Sequence, residues 1–588
     1  MLDLCGMWKF FAIIFLRFSE LCTALLGKWK SAKEKYAVTT HIAPSDDDDR
    51  PQVPPGKRCA IIGAGASGMP SARWALAYGF EPVVFETTNE VGGMWCYKSE
   101  ETELASVMKS TVINTSKEMT AFSDFPPPAE FANFMHNTVM HKYFKLYAKH
   151  HSLYKHIRFN HKVEQVRRAP DYKETGRWVV DFITADGTKA QEVFDAVLVA
   201  SGHHYRPHWP TPWPGQDKFK GRIIHSHDYK DPSGFEDGVS VVVSIYGLIG
   251  LTYPNDVGIG NSGVDVAVEQ SRVAKETYLS TRRGAWIFHK VAKYGRPFDF
   301  SFNRRLISYV KKLFPRKFFA WYIQSKLNKR FDHAKYGLKP NHDVWCQQPT
   351  VNETISNRII SGMLAVKPNI QSFTEHGIVW DDGSVTEHVD NVILCTGFLI
   401  EYPMLENGTL VPVENNEVPT LYKYTWPANL ADHNTLAIIG NLQPIGSIMP
   451  IAEMQARVFF DVLAGRTKLP SEEQMFQDIH RKHLVLKLVF QVDFVDFMDE
   501  LGDMIGCTPY PSRLLWKAPS LAWKCIFGQV TSYQYRVFGP HSWSGAVNAA
   551  LGVDERSCTS NAARRHLSKM AAGWLLQGGC KIKEGKTL

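Results

Sequence analysis

No two of the ten cysteines stand in a C-x-x-C, and no group of His, Cys, Asp and Glu has metal-ligand spacing. A zinc cluster and a redox dithiol are therefore not expected, and no metal is assigned. Missing too is an unbroken apolar run of the roughly twenty residues that a bilayer-crossing helix needs. The stretch FFAIIFLRFSELCTALLG at 10–27 is interrupted by Arg17 and Glu20, and the run at 571–579 is far too short. The body of the chain also lacks charge of one sign. Residues 1–36 hold six Lys/Arg against three acids and residues 555–588 seven against two, which together give the whole net charge of +8. Basic ends on a neutral body suit a membrane surface better than a nucleic-acid groove, with solvated tails as the plain alternative.

What is present describes a globular chain. The 588 residues exceed what one core supports, and 44% hydrophobic with 21% charged residues is ordinary composition. Cys59 and Cys395 lie in apolar runs and read as buried free thiols, which favours a reducing compartment. The segment 10–27 reads as a membrane-interface helix or a poor signal anchor, in which Arg17 and Glu20 can pair at i,i+3. A cleaved signal peptide is the rival, since Phe10 to Leu16 could form a short apolar core, but no small-x-small cleavage site follows. Residues 28–55 read as a tether.

The segment KRCAIIGAGASGMPSARWALAYGFEPVVFE at 57–86 sets a strand at Cys59 to Ile62, glycines 63, 65 and 68 in G-x-G-x-x-G spacing, a helix through Ala72 to Tyr78, a strand at Val83 to Phe85 and then Glu86. Glycines allow a tight turn and close approach to a pyrophosphate, the helix start offers free N–H groups, and Glu86 accepts from ribose hydroxyls. An acid there rejects a 2′-phosphate, so FAD or NAD is expected. A second loop, GIGNSGVDVAVEQSRVAKETYLSTRRG at 258–284, opens a helix expected to reach about Ala274, with a strand at Tyr278 to Ser280. In place of the acid it carries Arg282 and Arg283, cations suited to the 2′-phosphate of NADP, although solvated surface arginines are the plain alternative. Two loops of opposite ribose chemistry imply one bound flavin and NADPH as hydride donor. The strands FDAVLVASGHH at 194–204 and VDNVILCTGF at 389–398 read as crossings between two doubly wound domains.

Further motifs sharpen the reading. FKGRIIHSHDY at 219–229 fits F-x-G-x-x-x-H-x-x-x-Y through Phe219, Gly221, His225 and Tyr229, and EVGGMW (90–95), NTSKEMTAFSDFP (114–126), STRRGAW (280–286) and GNLQPIGSIMPIAEMQAR (440–457) accompany it. On these residues the chain resembles the flavin-containing monooxygenases from about Lys57 to about Leu551. The resemblance implies an α/β fold of two Rossmann-like dinucleotide-binding domains, for FAD and NADP, with a helical insertion. FAD would be held by Gly63, Gly65, Ser67, Gly68, Glu86, Gly93, Met94, Trp95, Asn114 and Thr115. NADP would be held by Gly258, Gly260, Ser262, Gly263, Val264, Asp265, Arg282 and Arg283. Asn114 is the implied catalytic residue, a neutral donor over the flavin. His225 reads as structural. The implied reaction is NADPH- and O2-dependent oxygenation of a small-molecule amine or sulfide through a C4a-hydroperoxyflavin, at the endoplasmic reticulum membrane. A homo-oligomer is left open.

The expected divisions are a hydrophobic segment and linker at 1–56, FAD-domain parts at 57–215 and 396–554, an NADP domain at 216–395 with the insertion near 288–344, and a basic tail at 555–588. Residues 288–344, rich in aromatic and basic side chains, read equally as helices packed on the body or as a membrane-facing or tunnel cover. Asn114, Asn352 and Asn407 head formal glycosylation sequons, the first expected to be coincidental.

One stretch breaks the pattern. Val241 to Val243 end a strand, yet the second glycine loop begins only at Gly258. Removing Ser244 to Asp256 is expected to restore register, so the segment is either a real insertion or, as we favour, a translated intron. Tyr229-Lys230, where Baeyer–Villiger relatives carry Trp-Pro, favours heteroatom oxygenation over a Baeyer–Villiger enzyme. Should the interruption be real, an NADPH-impaired, non-catalytic flavoprotein is the alternative.

Overall fold

The structure is a computed structural model that describes residues 54–100, 102–244, 259–345, 349–414, 416–486 and 491–557. The segment 10–27, Gly258, nearly all of the interruption and the end beyond 557 lie outside the described residues. Among the described residues no helix is long and apolar enough to cross a membrane.

Two five-stranded parallel sheets organise the chain. The first runs Leu436–Ile438, Ala196–Val199, Arg58–Ile62, Glu81–Glu86, Ile157–Phe159. The second runs Ala365–Lys367, Glu276–Ser280, Val239–Ser244, Asn391–Cys395, Arg222–His225. Their central strands are short apolar runs because helices and loops cover both faces. In the first sheet Cys59, Ile61, Ala196 and Leu198 join one core cluster while Ala60, Ile62, Val197 and Val199 join the other. In the second, Val242 and Ile393 face one way and Val241, Val243, Val392 and Leu394 the other. Each sheet is accompanied by a three-stranded antiparallel sheet, one containing Trp178–Ile183 and the other Ile378–Trp380. Where the chain passes between the two parallel sheets, Arg206–Pro207 pairs antiparallel with Phe398–Leu399. The fold is α/β with two dinucleotide-binding domains.

The helix after the first loop spans Gly68–Ala77, and the one after the second spans Asn261–Gln270. The second stops four residues short of Ala274, because the chain must turn through Ser271 to Lys275 to enter the strand Glu276–Ser280.

The aromatic and basic insertion forms helices Asp299–Phe302, Arg305–Leu313 and Arg316–Arg330. It is packed on its inner side: Ala320 and Leu327 meet Trp286, Phe288, Val344 and Trp345. Arg305 is fully buried, its guanidinium donating to both Asp499 oxygens (3.0 and 2.8 Å), Gln534 (2.7 Å) and the Tyr535 hydroxyl (2.9 Å). A buried guanidinium is tolerated only when its donors are met in this way. The outer side leaves Leu313 (78%) and Trp321 (51%) exposed, with Phe314, Phe318 and Tyr322 beside them.

The boundary expected at 555 is corrected. Arg556 forms a two-pronged ion pair with fully buried Glu118 (2.9 and 2.6 Å), and the Ser557 carbonyl accepts from Asn133, so the chain is still part of the body at 557.

Candidate active site at the two dinucleotide loops

The first loop is built by close backbone approach. Gly63 has φ +102°, and a β-carbon there would stand 2.7 Å from the Ala200 carbonyl oxygen. One on Gly68 would lie 1.8 Å from the Gly63 oxygen, so the helix can approach the strand only without a side chain at 68. The turn carrying Gly93, Met94 and Trp95 seats against this loop, with a Gly93 β-carbon 3.2 Å from Gly65 Cα. Gly440, at φ +81°, passes over the helix start so closely that a β-carbon would meet the Ser67 hydroxyl at 2.3 Å. Glu86 is buried and fixed: Oε2 accepts from the Ala64 N–H (2.8 Å), and Oε1 from the N–H and hydroxyl of Thr88 (both 2.8 Å). Oε2 keeps a free lone pair beside the loop, as a ribose hydroxyl needs.

The second loop repeats the geometry with one difference. Ile62 pairs with Val199 and Phe85 in the first sheet, and Val243 pairs with Leu394 and Ser280 in the second. The following residues match as well, Ala200-Ser201-Gly202 against Cys395-Thr396-Gly397. Ser244 therefore stands where Gly63 stands. Its hydroxyl accepts from the Gly260 N–H at 3.2 Å and presses on Gly263. This corrects the sequence expectation of a thirteen-residue interruption at 244–256: the register puts Gly258 back in the first-glycine place only when 244–257, one residue more, is removed.

Beyond Gly260, Asn261 is fixed by the Val351 N–H (2.7 Å) on its Oδ1. Ser262 is exposed, whereas Gly263 and Val264 are buried. Asp265 accepts from the Asn352 side-chain amide at 2.8 Å. Burial raises the Asp265 carboxyl to about 6, against the opposing Asn352 bond and the Lys290 charge. The Asn352 amide oxygen accepts from the N–H groups of Thr354 and Ile355 (2.8 and 2.9 Å), so that sequon is occupied by internal bonds; Asn407 is exposed in a turn at φ +57°. Arg282 is exposed and Arg283 half-buried at the end of the strand Glu276–Ser280.

Between the loops runs the segment carrying Asn114. The Val107 N–H donates to the Met94 carbonyl (3.0 Å), the Lys290 ammonium donates to the Val112 carbonyl (3.2 Å), and the Thr115 and Thr120 hydroxyls bond at 2.8 Å. Asn114 Oδ1 is buried with no hydrogen-bond partner in the protein, an unmet polar group of the kind a bound cofactor satisfies. His225 is fully buried, its Nδ1 accepting from the His227 N–H at 3.0 Å, and Tyr229 is held by Glu269 and Gln270 (3.0 and 2.9 Å). Burial lowers His225 to about 4, so the ring is neutral near pH 7. Two glycine cradles of this shape, one facing an acid and one followed by arginines, fit FAD and NADP.

The family model described as flavin-binding monooxygenase-like matches residues 56–572. This chain belongs to the flavin-containing monooxygenases. It is 42% identical to flavin-containing monooxygenase 5 of Homo sapiens over 510 residues, 85% of this chain and 92% of the relative. Dimethylaniline monooxygenase [N-oxide-forming] 2 of Pan troglodytes is 41% identical over the same shares. Among solved structures, S-allyl-L-cysteine S-oxygenase from Allium sativum is similar with TM-score 0.55 and 22% identity, covering 80% of this chain and 93% of that one. Cyclohexanone monooxygenase bound to ε-caprolactone gives TM-score 0.54 at 16% identity, covering 76% and 97%. These structures speak for the fold. The flavin monooxygenase uses FAD and NADPH.

Sequence reasoning singled out both loops but passed over Lys290, Asp299 and Gly440. Gly440 opens the stretch GNLQPIGSIMPIAEMQAR, two residues past the strand Leu436–Ile438, whereas Gly63 directly follows Arg58–Ile62. Lys290 and Asp299 carry no local signal.

Proposed function

We propose that this flavin monooxygenase oxygenates soft nitrogen or sulfur nucleophiles, with Glu86 and the first loop holding FAD and the second loop holding NADPH. One observation carries the reading: contacts run from Gly65 through Gly93, Met94 and Val107 along the Asn114 segment to Lys290, whose charge acts on the Asp265 carboxyl. Both cofactors would therefore meet at Asn114. Bound FAD, once reduced by NADPH, supplies the oxygen-activating chemistry. The protein's residues bind, orient and exclude water, and Asn114 offers a neutral amide at the point of reaction. The test offers the enzyme a tertiary amine, a sulfide and a cyclic ketone in parallel. N-oxide and sulfoxide without lactone support the reading; lactone as the main product would replace it with Baeyer–Villiger oxidation.

Membrane association is part of the same proposal. Tyr309, Leu313, Phe314, Phe318, Trp321 and Tyr322 are exposed on the insertion among Lys312, Lys317 and Lys326, an aromatic and cationic surface suited to anionic headgroups. Co-sedimentation with anionic vesicles, reduced by Leu313→Ser with Trp321→Ser, checks it; undiminished sedimentation of that variant would remove the insertion from the account.

A further inference from the structure

Asn114 lies midway between two charged side chains that come from one small hairpin. The Phe298 N–H donates to the Lys290 carbonyl at 2.8 Å, Val291 bridges Pro297 antiparallel, and the Ala292 N–H donates to the Arg296 carbonyl. Residues 290 and 299 are thereby brought together at its base. From there Lys290 Nζ donates to the carbonyl of Val112, two residues before Asn114 (3.2 Å). Asp299 Oδ2 accepts the N–H of Ser116, two residues after it (2.6 Å). Neither contact is a surface accident. Burial lowers the Lys290 ammonium, against the charges of Asp265 and Glu353, and raises Asp299 to about 6, against the bonds from Ser116. Glu353 in turn accepts from the Val291 N–H at 2.7 Å. Placing two ionisable groups in such surroundings is unfavourable unless each makes a charge-assisted hydrogen bond, and both spend that bond on the backbone around Asn114.

We propose that the hairpin 290–299 is a clamp, in which Lys290 and Asp299 are positioning residues that fix the Asn114 amide. The proposal rests on the reading of Asn114 given above. It follows that the insertion, besides covering the body, contributes to the geometry of the reacting centre. A misplacement of about 1 Å at such a centre can lower a rate by about a hundredfold, so the clamp matters well beyond its two bonds.

The experiment compares full-length Asp299→Ala, Asp299→Asn, Lys290→Met and Asn114→Ala with wild type, all retaining FAD. Two quantities are read: hydrogen exchange of the backbone amides of 112–116, and the share of NADPH consumption that ends in hydrogen peroxide when no substrate is present. Asp299→Ala and Lys290→Met should exchange these amides about tenfold faster, as expected for a lost local bond, and should release more peroxide. Asp299→Asn keeps an oxygen to accept the Ser116 N–H and should recover both quantities most of the way to wild type, which a merely space-filling role would not require. Unchanged exchange and peroxide in Asp299→Ala overturns the clamp, as does an Asp299→Asn as impaired as the alanine variant. If Asn114→Ala releases no more peroxide than wild type, the role of Asn114 falls and the clamp's function with it. If that variant leaks while Asp299→Ala stays intact, the clamp alone is overturned.

Discussion

Ser244 and Gly263 are packed so closely that a β-carbon on Gly263 would stand 2.5 Å from Ser244 Cβ and 2.0 Å from its hydroxyl oxygen. The helix Asn261–Gln270 reaches the strand Val239–Ser244 only because residue 263 lacks a side chain. Gly263→Ala should therefore push the helix start away from the pyrophosphate position and weaken NADPH binding on the order of a hundredfold. FAD content, set by the other loop, should stay at wild-type level. Titration of NADPH against flavin fluorescence checks both.

The Ser244 hydroxyl also occupies the Gly260 N–H, a donor on the glycine loop where a phosphate oxygen would bind. A chain lacking 244–257 should regain that donor and reduce its flavin with NADPH roughly ten- to a hundredfold faster at limiting NADPH, the gain expected for a charge-assisted bond. Equal rates in the two chains would mean that the loop accommodates the interruption.

Strand pairing sets Thr281 where Glu86 stands in the first sheet, and Arg282 and Arg283 come one and two residues later, just past the strand Glu276–Ser280. Replacing both with alanine should lower the preference for NADPH over NADH by about ten- to a hundredfold, mostly through KM, because a guanidinium bonds a 2′-phosphate strongly and a 2′-hydroxyl weakly. Steady-state kinetics with both coenzymes reads this directly.

The Asp265 carboxyl, raised by burial to about 6, binds its proton more tightly in the folded protein than in the unfolded chain. Its contribution to stability is fully present below the ordinary carboxylate range near pH 4 and is lost as pH rises through 6. Asp265→Asn keeps the shape but cannot ionise, so its stability relative to wild type should rise by about 2 to 3 kcal/mol between pH 4 and pH 7. Denaturant unfolding at the two pH values checks the sign.

The sequence shows the architecture readily where function requires a local pattern. Glycines 63, 65 and 68 point to the strand before them and the helix after them, and the acid at 86 against the arginines at 282 and 283 gives the two loops opposite expected preferences. The first helix begins at Gly68 rather than Ala72, because the loop glycine is itself the first helical residue. What stays hidden is set by contacts distant in sequence. Asp299 meets Ser116 across 183 residues and Lys290 meets Val112 across 178. Arg556 looks like part of a basic tail until the structure sets it on Glu118, 438 residues earlier. The interruption was visible as an excess of residues, but its register depended on which residue faces Cys395, a fact of strand pairing.

The most direct measurement mixes the full chain, and beside it the chain lacking 244–257, anaerobically with NADPH, and then admits oxygen-18 gas with a tertiary amine. The flavin absorbance should bleach, faster in the shortened chain, and the amine product should gain one labelled oxygen atom. Flavin that binds to both chains yet bleaches in neither, with unlabelled amine recovered, would rule out NADPH-driven oxygenation.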